Sequence, residues 1–140
     1  MEESPVSEFK MKALKLQYWH TALVTIPLGL SIILFPKQAT KAMKGLKEQD
    51  QTVFGICGAV WLAFGLLATR GIRDPLKWSP LLVLQFTYKV IWFTAVLGLM
   101  AARGEFELES AKGFMLGFAP FVAADIVAVP WKYLLGRSES

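Results

Sequence analysis

Residues 80–102 read PLLVLQFTYKVIWFTAVLGLMAA, and Lys89 is the one formal charge among them. A helix of that length rises about 34 Å at 1.5 Å per residue, enough to cross a hydrocarbon core about 30 Å thick. A surface helix of a soluble domain would need a broad polar face, and the few polar residues here do not supply one. The stretch therefore predicts a transmembrane helix.

Working outward, three more apolar runs of spanning length appear, over residues 18–35, 52–69 and 113–133. The fold class predicted is an all-α integral membrane protein, a four-transmembrane-helix bundle with short loops. Its organisation is a polar N-terminal tail (1–17), the membrane domain (18–135) and a polar, disordered C-terminal tail (136–140). At 140 residues this is one domain. Only 19% of the residues are charged, and they gather in short stretches between the apolar runs.

The N-terminus does not read as a cleavable signal. Glu2, Glu3 and Glu8 offset Lys10, Lys12 and Lys15, the apolar run is too long, and no small-x-small site closes it before Phe35-Pro36. Pro27 predicts a kink in the first span, and Pro120 and Pro130 predict bends in the fourth. Between spans one and two, Lys37, Lys41, Lys44 and Lys47 recur at helical spacing among Ala39, Ala42, Met43 and Leu46. That pattern fits a short interfacial helix or a solvated helical loop. In span two, Gly55 with Ala59 and Ala59 with Ala63 form small-xxx-small pairs, which predict close approach to another helix of the chain. The polar turn 70–75 leads into span three, and Glu105, Glu107 and Glu109 stand in the loop before span four.

An even number of spans puts both termini on one side. The terminal side carries Lys10, Lys12, Lys15, Arg70, Arg73, Lys77, Lys132 and Arg137, the larger share of positive charge. The other side carries Lys37, Lys41, Lys44, Lys47, Arg103 and Lys112. The positive-inside rule then favours cytoplasmic termini in an inner or plasma membrane. Tyr18, Trp19, Trp78, Trp131 and Tyr133 all fall at the terminal side and predict an aromatic belt there. No cluster of basic residues is interleaved with exposed aromatics, so the net charge of +4 points to lipid headgroups and not to nucleic acid. The single cysteine, Cys57, admits no intrachain disulfide.

His20, Gln85, Lys89 and Asp125 are the polar residues that fall inside spans. An ionisable group at the bilayer centre costs on the order of 3 kcal/mol, so it faces the bundle or a wet cavity. Spans three and four form a hairpin, and the sequence midpoint of Lys89 and Asp125 is Glu107, in the connecting loop. The two therefore lie at nearly the same depth, roughly 18 Å from that face. A Lys89–Asp125 ion pair is expected on this ground, with snorkelling or other partners as the alternatives. If the pair is structural, Lys89→Met alone should destabilise the protein and Lys89→Met with Asp125→Leu should largely restore it.

Gln85, Lys89, Trp92 and Val96 follow the 0, 4, 7, 11 spacing of one helix face, flanked by Tyr88. With Asp125 and Trp61 they define a candidate ligand site, half polar and half aromatic, opening toward the terminal side. A flat amphiphile such as a quinone or a lipid headgroup would suit it. Equally, Trp61 and Trp92 serve simply to fill the bundle. One histidine and one aspartate are too few for a metal site, and no motif that carries a catalytic mechanism is present.

The layout resembles that of small four-span bacterial inner-membrane proteins, a likeness of arrangement and not of motif. The functional expectation is a non-catalytic accessory subunit of a larger membrane complex, partnered by other membrane subunits or by itself as a homo-oligomer. The alternative is a carrier or binding protein for a small quinone- or lipid-like amphiphile, using Lys89 and Asp125.

Overall fold

The structure, a computed structural model, describes residues 5–43 and 46–136. Glu2, Glu3, Lys44, Arg137 and the tail beyond Gly136 lie outside the described residues. The described chain is helical, with α1 (Glu8–Leu34), α2 (Pro36–Ala42), α3 (Gln51–Arg73) and α4 (Ser79–Ile91). A π-helical turn (Trp92–Val96) joins α4 to α5 (Leu97–Ala102), and α6 (Leu108–Ala128) and α7 (Trp131–Leu134) follow. No strand occurs among the described residues. Among the described residues, four helices are long and apolar enough to cross a membrane: Glu8–Leu34, Gln51–Arg73, Ser79–Ala102 and Leu108–Ala128.

Local chemistry explains the boundaries. Ser7 opens α1 by accepting from the Lys10 amide at 3.3 Å, so the helix starts well before the apolar run does. Pro36 takes the first position of α2, where its missing N–H costs nothing. Asp50 caps α3 by accepting from the Thr52 and Val53 amides at 3.0 and 3.1 Å. Pro27 and Pro120 are carried inside α1 and α6, whereas Pro130 separates α6 from α7. The fourth long helix thus stops at Ala128, short of residue 133.

α1 packs against α3 and α6, and α4 packs against α6 and α3, closing a ring of four helices. The tightest seam joins α1 to α3. A Cβ added at Gly29 would lie 2.6 Å from the Leu62 backbone nitrogen and 2.7 Å from the Gly58 carbonyl oxygen. Gly58 and Gly65 are equally confined, by Ile32 and by Ile26 with Thr25. The close approach therefore runs through Gly58 and Gly65. The expected Gly55–Ala59–Ala63 seam points outward: Ala59 and Ala63 are exposed, and a Cβ at Gly55 would meet nothing within 4 Å.

Two apolar clusters sit at opposite ends of the ring. At the terminal end, Leu14, Tyr18, Ala22, Ala68, Leu82 and Val129 form one cluster, with Trp78 and Trp131 packed on it. Tyr18 belongs to this core and not to the aromatic belt. It is fully buried, its hydroxyl donates to the Pro75 carbonyl at 2.8 Å, and its ring lies on Gly71. At the other end Ile32, Ala39, Phe54 and Trp61 cluster, with Met43 and Leu46 folded over them. In α2, Lys37 and Lys41 are exposed while Ala39 is buried. Lys47 pairs with Glu107 at 3.2 Å, which ties the first and third loops together at this end. The Lys47 ammonium and the Ser110 hydroxyl hold the Glu107 carboxyl below the usual carboxylate range. A depressed carboxyl favours folding above its unfolded pKa and loses that contribution as pH falls, although solvent screens this exposed pair.

Lys10 reaches from α1 to the C-terminal end of α6, where its ammonium donates to the Val127 and Val129 carbonyls. A cation there satisfies orphan carbonyls and complements the helix dipole. Lys10→Met is expected to lower stability by about 1 kcal/mol. Denaturant titration in detergent reads this as an earlier midpoint, and an unchanged midpoint would show that the cap contributes nothing.

Candidate functional site

Between the two apolar clusters lies a layer of buried polar residues. α1 supplies Gln17, Thr21 and Thr25, each one turn from the next and so on one face. α4 supplies Gln85 and Lys89, and α6 supplies Asp125, with Phe121 one turn before it. Gln85 and Asp125 are 0% exposed and Lys89 is 1% exposed, so Lys89 does not snorkel to an interface.

Asp125 is held by amides. The Gln17 side-chain nitrogen donates to Asp125 Oδ1 at 2.7 Å. Gln85 Nε2 lies 3.4 and 3.3 Å from Asp125 Oδ1 and Oδ2, and 3.2 Å from Thr21 Oγ1. Behind Gln17 stands His20, whose Nδ1 is 3.0 Å from Gln17 Oε1. Since Gln17 donates through its nitrogen, its oxygen is free to accept from a protonated Nδ1. The His20 ring stacks on Phe121, with centroids 4.0 Å apart and planes 13° apart. Gln85 Oε1 is buried without a hydrogen-bond partner among the described residues.

Lys89 has different company. Its ammonium donates to the Tyr88 hydroxyl at 2.7 Å and lies over three rings, 4.2 Å from the centroid of Tyr88, 4.7 Å from Phe121 and 5.2 Å from Phe118. Ion pairs among the described residues are Lys12–Glu8, Lys47–Glu107 and Lys112–Glu109. The expected Lys89–Asp125 contact is not among them. The two share the same interior, but the Gln17 and Gln85 amides occupy the carboxylate. The lysine, one turn along α4 from Gln85, reaches the aromatic rings instead. Quadrupolar ring faces attract an ammonium, and the attraction grows when water is absent.

A cavity of about 370 Å³ ends at Lys89. Trp61, Tyr88, Phe114, Phe118 and Phe121 wall it, with Val24, Thr25 and Leu28 of α1. Met43 and Leu46 of the first loop and Ser110 and Gly113 of α6 form its outer part. It therefore opens at the end away from the termini. The expected opening toward the terminal side is closed by Leu14, Tyr18, Leu82 and Val129, all 0% exposed. Along the flank of α6, exposed Gly113 and Gly117 line the cavity, and a Cβ at Gly117 would meet nothing within 4 Å.

Of the expected site residues, Lys89, Tyr88 and Trp61 line this cavity. Gln85 and Asp125 sit in the polar layer behind its floor, and Trp92 stands outside the lining against Phe114 and Phe118, at 6.1 and 5.2 Å. Trp61 meets the same two rings, each at 6.1 Å, so both indoles also fill the bundle. The π-helical turn begins at Trp92 and shifts the inward face by a residue, so Leu97 is buried and Val96 is exposed.

Four partners lie outside the sequence reading of the site: Gln17, Thr21, Phe118 and Phe121. The first two had a visible signal, the polar 17, 21, 25 spacing on α1. The phenylalanines had none, because an aromatic at helical spacing is ordinary in an apolar span. Another hollow, of about 310 Å³, lies in the first loop between Pro36 and Phe54; Lys37, Lys41 and Glu48 on its rim are exposed. Compared with protein-family models, with curated proteins and with solved structures, the chain gives no significant match, so the geometry carries the functional argument.

Proposed function

We propose that the chain is an integral membrane protein of four spans, with cytoplasmic termini in an inner or plasma membrane, that binds a small amphiphile in the cavity ending at Lys89. Support for the membrane comes from the outer faces, where Leu23, Leu30, Ile56, Leu66, Leu84, Leu99 and Leu116 are exposed. A contiguous apolar exterior of this kind suits lipid and not water.

The observation that carries the ligand reading is a buried ammonium with one hydrogen bond among the described residues, at the inner end of an aromatic-walled cavity. Ammonium has three donors, so two are left for a guest. A carbonyl or an anion would take them, as in a quinone or a lipid-like headgroup, while the apolar chain lies along Phe114 and Phe118 toward the open flank of α6. The volume falls within the usual range of small-molecule sites, roughly 300–1,000 Å³. Binding or carrying is the role this arrangement supports.

A bromoalkyl sulfonate tests this, because bromine quenches indole fluorescence and Trp61 lines the cavity. Saturable quenching is expected, at least tenfold weaker in Lys89→Met and in Gly117→Leu, whose new side chain enters the cavity. Non-saturable quenching, alike in all three proteins, would refute the reading. The accessory-subunit alternative draws on the outward Gly55, Ala59 and Ala63, and it requires stoichiometric partners after gentle extraction.

A further inference from the structure

The interior holds two formal charges that do not touch. Lys89 rests among rings and one phenol, and Asp125 among two amides. Each is one helical turn from a residue that touches the other. Gln85, a turn from Lys89, donates to Asp125, and Phe121, a turn from Asp125, lies under the Lys89 ammonium. Without a guest the layer is electrically balanced. An anion seated on Lys89 adds a negative charge beside a buried layer, and a desolvated excess charge is strongly disfavoured.

We propose that binding of an anionic headgroup at Lys89 is coupled to the uptake of one proton by Asp125. The inference rests on the ligand reading above and adds the charge class of the guest and its co-bound ion. One O–H bond forms at the Asp125 carboxylate, the proton comes from bulk water, and nothing leaves. The layer then carries Lys89 and the guest anion as its charges and is balanced again.

The surroundings of Asp125 are suited to both forms. As a carboxylate it accepts from Gln17 and Gln85. As a carboxylic acid it needs an acceptor, and Gln85 holds a buried oxygen without a partner among the described residues. A half-turn of that amide brings Oε1 to face the new O–H and lets the Thr21 hydroxyl, now an acceptor from Gln85, donate to it. Of the other titratable or charged groups on the elements around Asp125, Tyr18 and His20 on α1 and Tyr88 and Lys89 on α4 lie inside the bundle, with Lys10 at its end. Glu8, Lys12 and Lys15 on α1, Cys57, Arg70 and Arg73 on α3 and Glu109 on α6 are exposed, and Lys112 on α6 pairs with Glu109. Lys10 lies at the end of α6 and bonds carbonyls there. Two groups compete for the proton: His20, which joins the same network through Gln17, and Lys89 itself, a buried amine held among rings.

The test uses the full chain in phosphatidylcholine nanodiscs and a bromoalkyl sulfonate, which stays ionised at every pH used. Over roughly pH 5 to 9, wild-type affinity is expected to fall about tenfold per pH unit on the alkaline limb, the slope of one linked proton. Asp125→Asn is expected to bind without pH dependence, near the acid-limit affinity, and His20→Gln to keep the wild-type slope. In weakly buffered solution, wild-type protein should take up one proton per probe bound, a readout that needs no variant. Lys89-dependent binding with no pH slope and no proton uptake overturns the coupling alone. A slope abolished by His20→Gln and retained in Asp125→Asn moves the proton to His20 and overturns the assignment. Absence of saturable binding at any pH overturns the ligand reading and the coupling with it.

Discussion

Gly29→Leu is expected to destroy the packing of α1 on α3 and to cost about 3 kcal/mol or more, the upper end for overpacking a filled interior. The reason is the identity of the obstructing atoms. A Cβ at Gly29 meets the Leu62 nitrogen and the Gly58 carbonyl oxygen, both backbone, so no rotamer change can make room. Two helix axes would have to separate, and the apolar contacts along the whole seam would loosen with them. Gly55→Leu lies on the same pair of helices, adds the same side chain and meets nothing within 4 Å. It is expected to stay within about 0.5 kcal/mol of wild type, as outward substitutions do. Denaturant titration of both variants in one detergent measures the contrast. The reverse ranking would mean that α3 presents Gly55, Ala59 and Ala63 to α1.

Asp125→Leu is the second large effect, and its comparison with Lys89→Met separates the network seen here from a direct ion pair. Leucine at 125 removes the acceptor of both the Gln17 and Gln85 amides, at 2.7 and 3.3 Å, inside a buried layer. A buried donor left without a partner costs about 1–3 kcal/mol, so a loss of about 3 kcal/mol is expected, and less for Asp125→Asn, which keeps one oxygen. Lys89→Met behaves differently. Methionine fills the space among Tyr88, Phe118 and Phe121 with favourable sulfur–ring contacts and breaks one hydrogen bond, while a proton on Asp125, donated toward the Gln85 oxygen, keeps the layer without excess charge. Stability within about 1 kcal/mol of wild type is expected. The double variant should then be about as unstable as Asp125→Leu alone. Rescue of Lys89→Met by Asp125→Leu would restore the direct pair and contradict the arrangement of amides and rings.

Much of the architecture was legible because spanning length and apolarity are one-dimensional properties. The runs 18–35, 52–69, 80–102 and 113–133 could be read by counting, and each lies largely within one of the long helices. What counting does not provide is azimuth. The midpoint at Glu107 placed Lys89 and Asp125 at similar depth, yet which way each faces depended on Gln17, a residue of another helix that lay in the supposed polar tail. The small-residue seam was misassigned for the same reason. α3 carries glycine and alanine on two faces, and only the partner, Gly29 of α1, decides that Gly58 and Gly65 turn inward. Val96 fell on the inward face of a regular helix, and the π-helical turn at Trp92 moved that place to Leu97. Tyr18 illustrates a further limit. An amphipathic ring near a span end suits the headgroup region, but a glycine facing it at position 71 and a carbonyl at Pro75 made a better site in the core.

The candidate site was half visible. Intramembrane charge marked Lys89 and Asp125, and the 0, 4 spacing added Gln85. The end at which the cavity opens could not be foreseen, because its outer part comes from Met43, Leu46 and Gly113, residues unremarkable in sequence. Its direction follows from which end of the ring holds bulkier fully buried side chains, a matter of volume in three dimensions.

Native mass spectrometry of the protein extracted gently from its own membrane tests the central claim most directly. A chain that carries a reproducible small mass, retained in wild type and lost in Lys89→Met, is the expected result. Stoichiometric larger subunits with no small mass, unchanged in Lys89→Met, would contradict it and make the buried lysine a feature of packing alone.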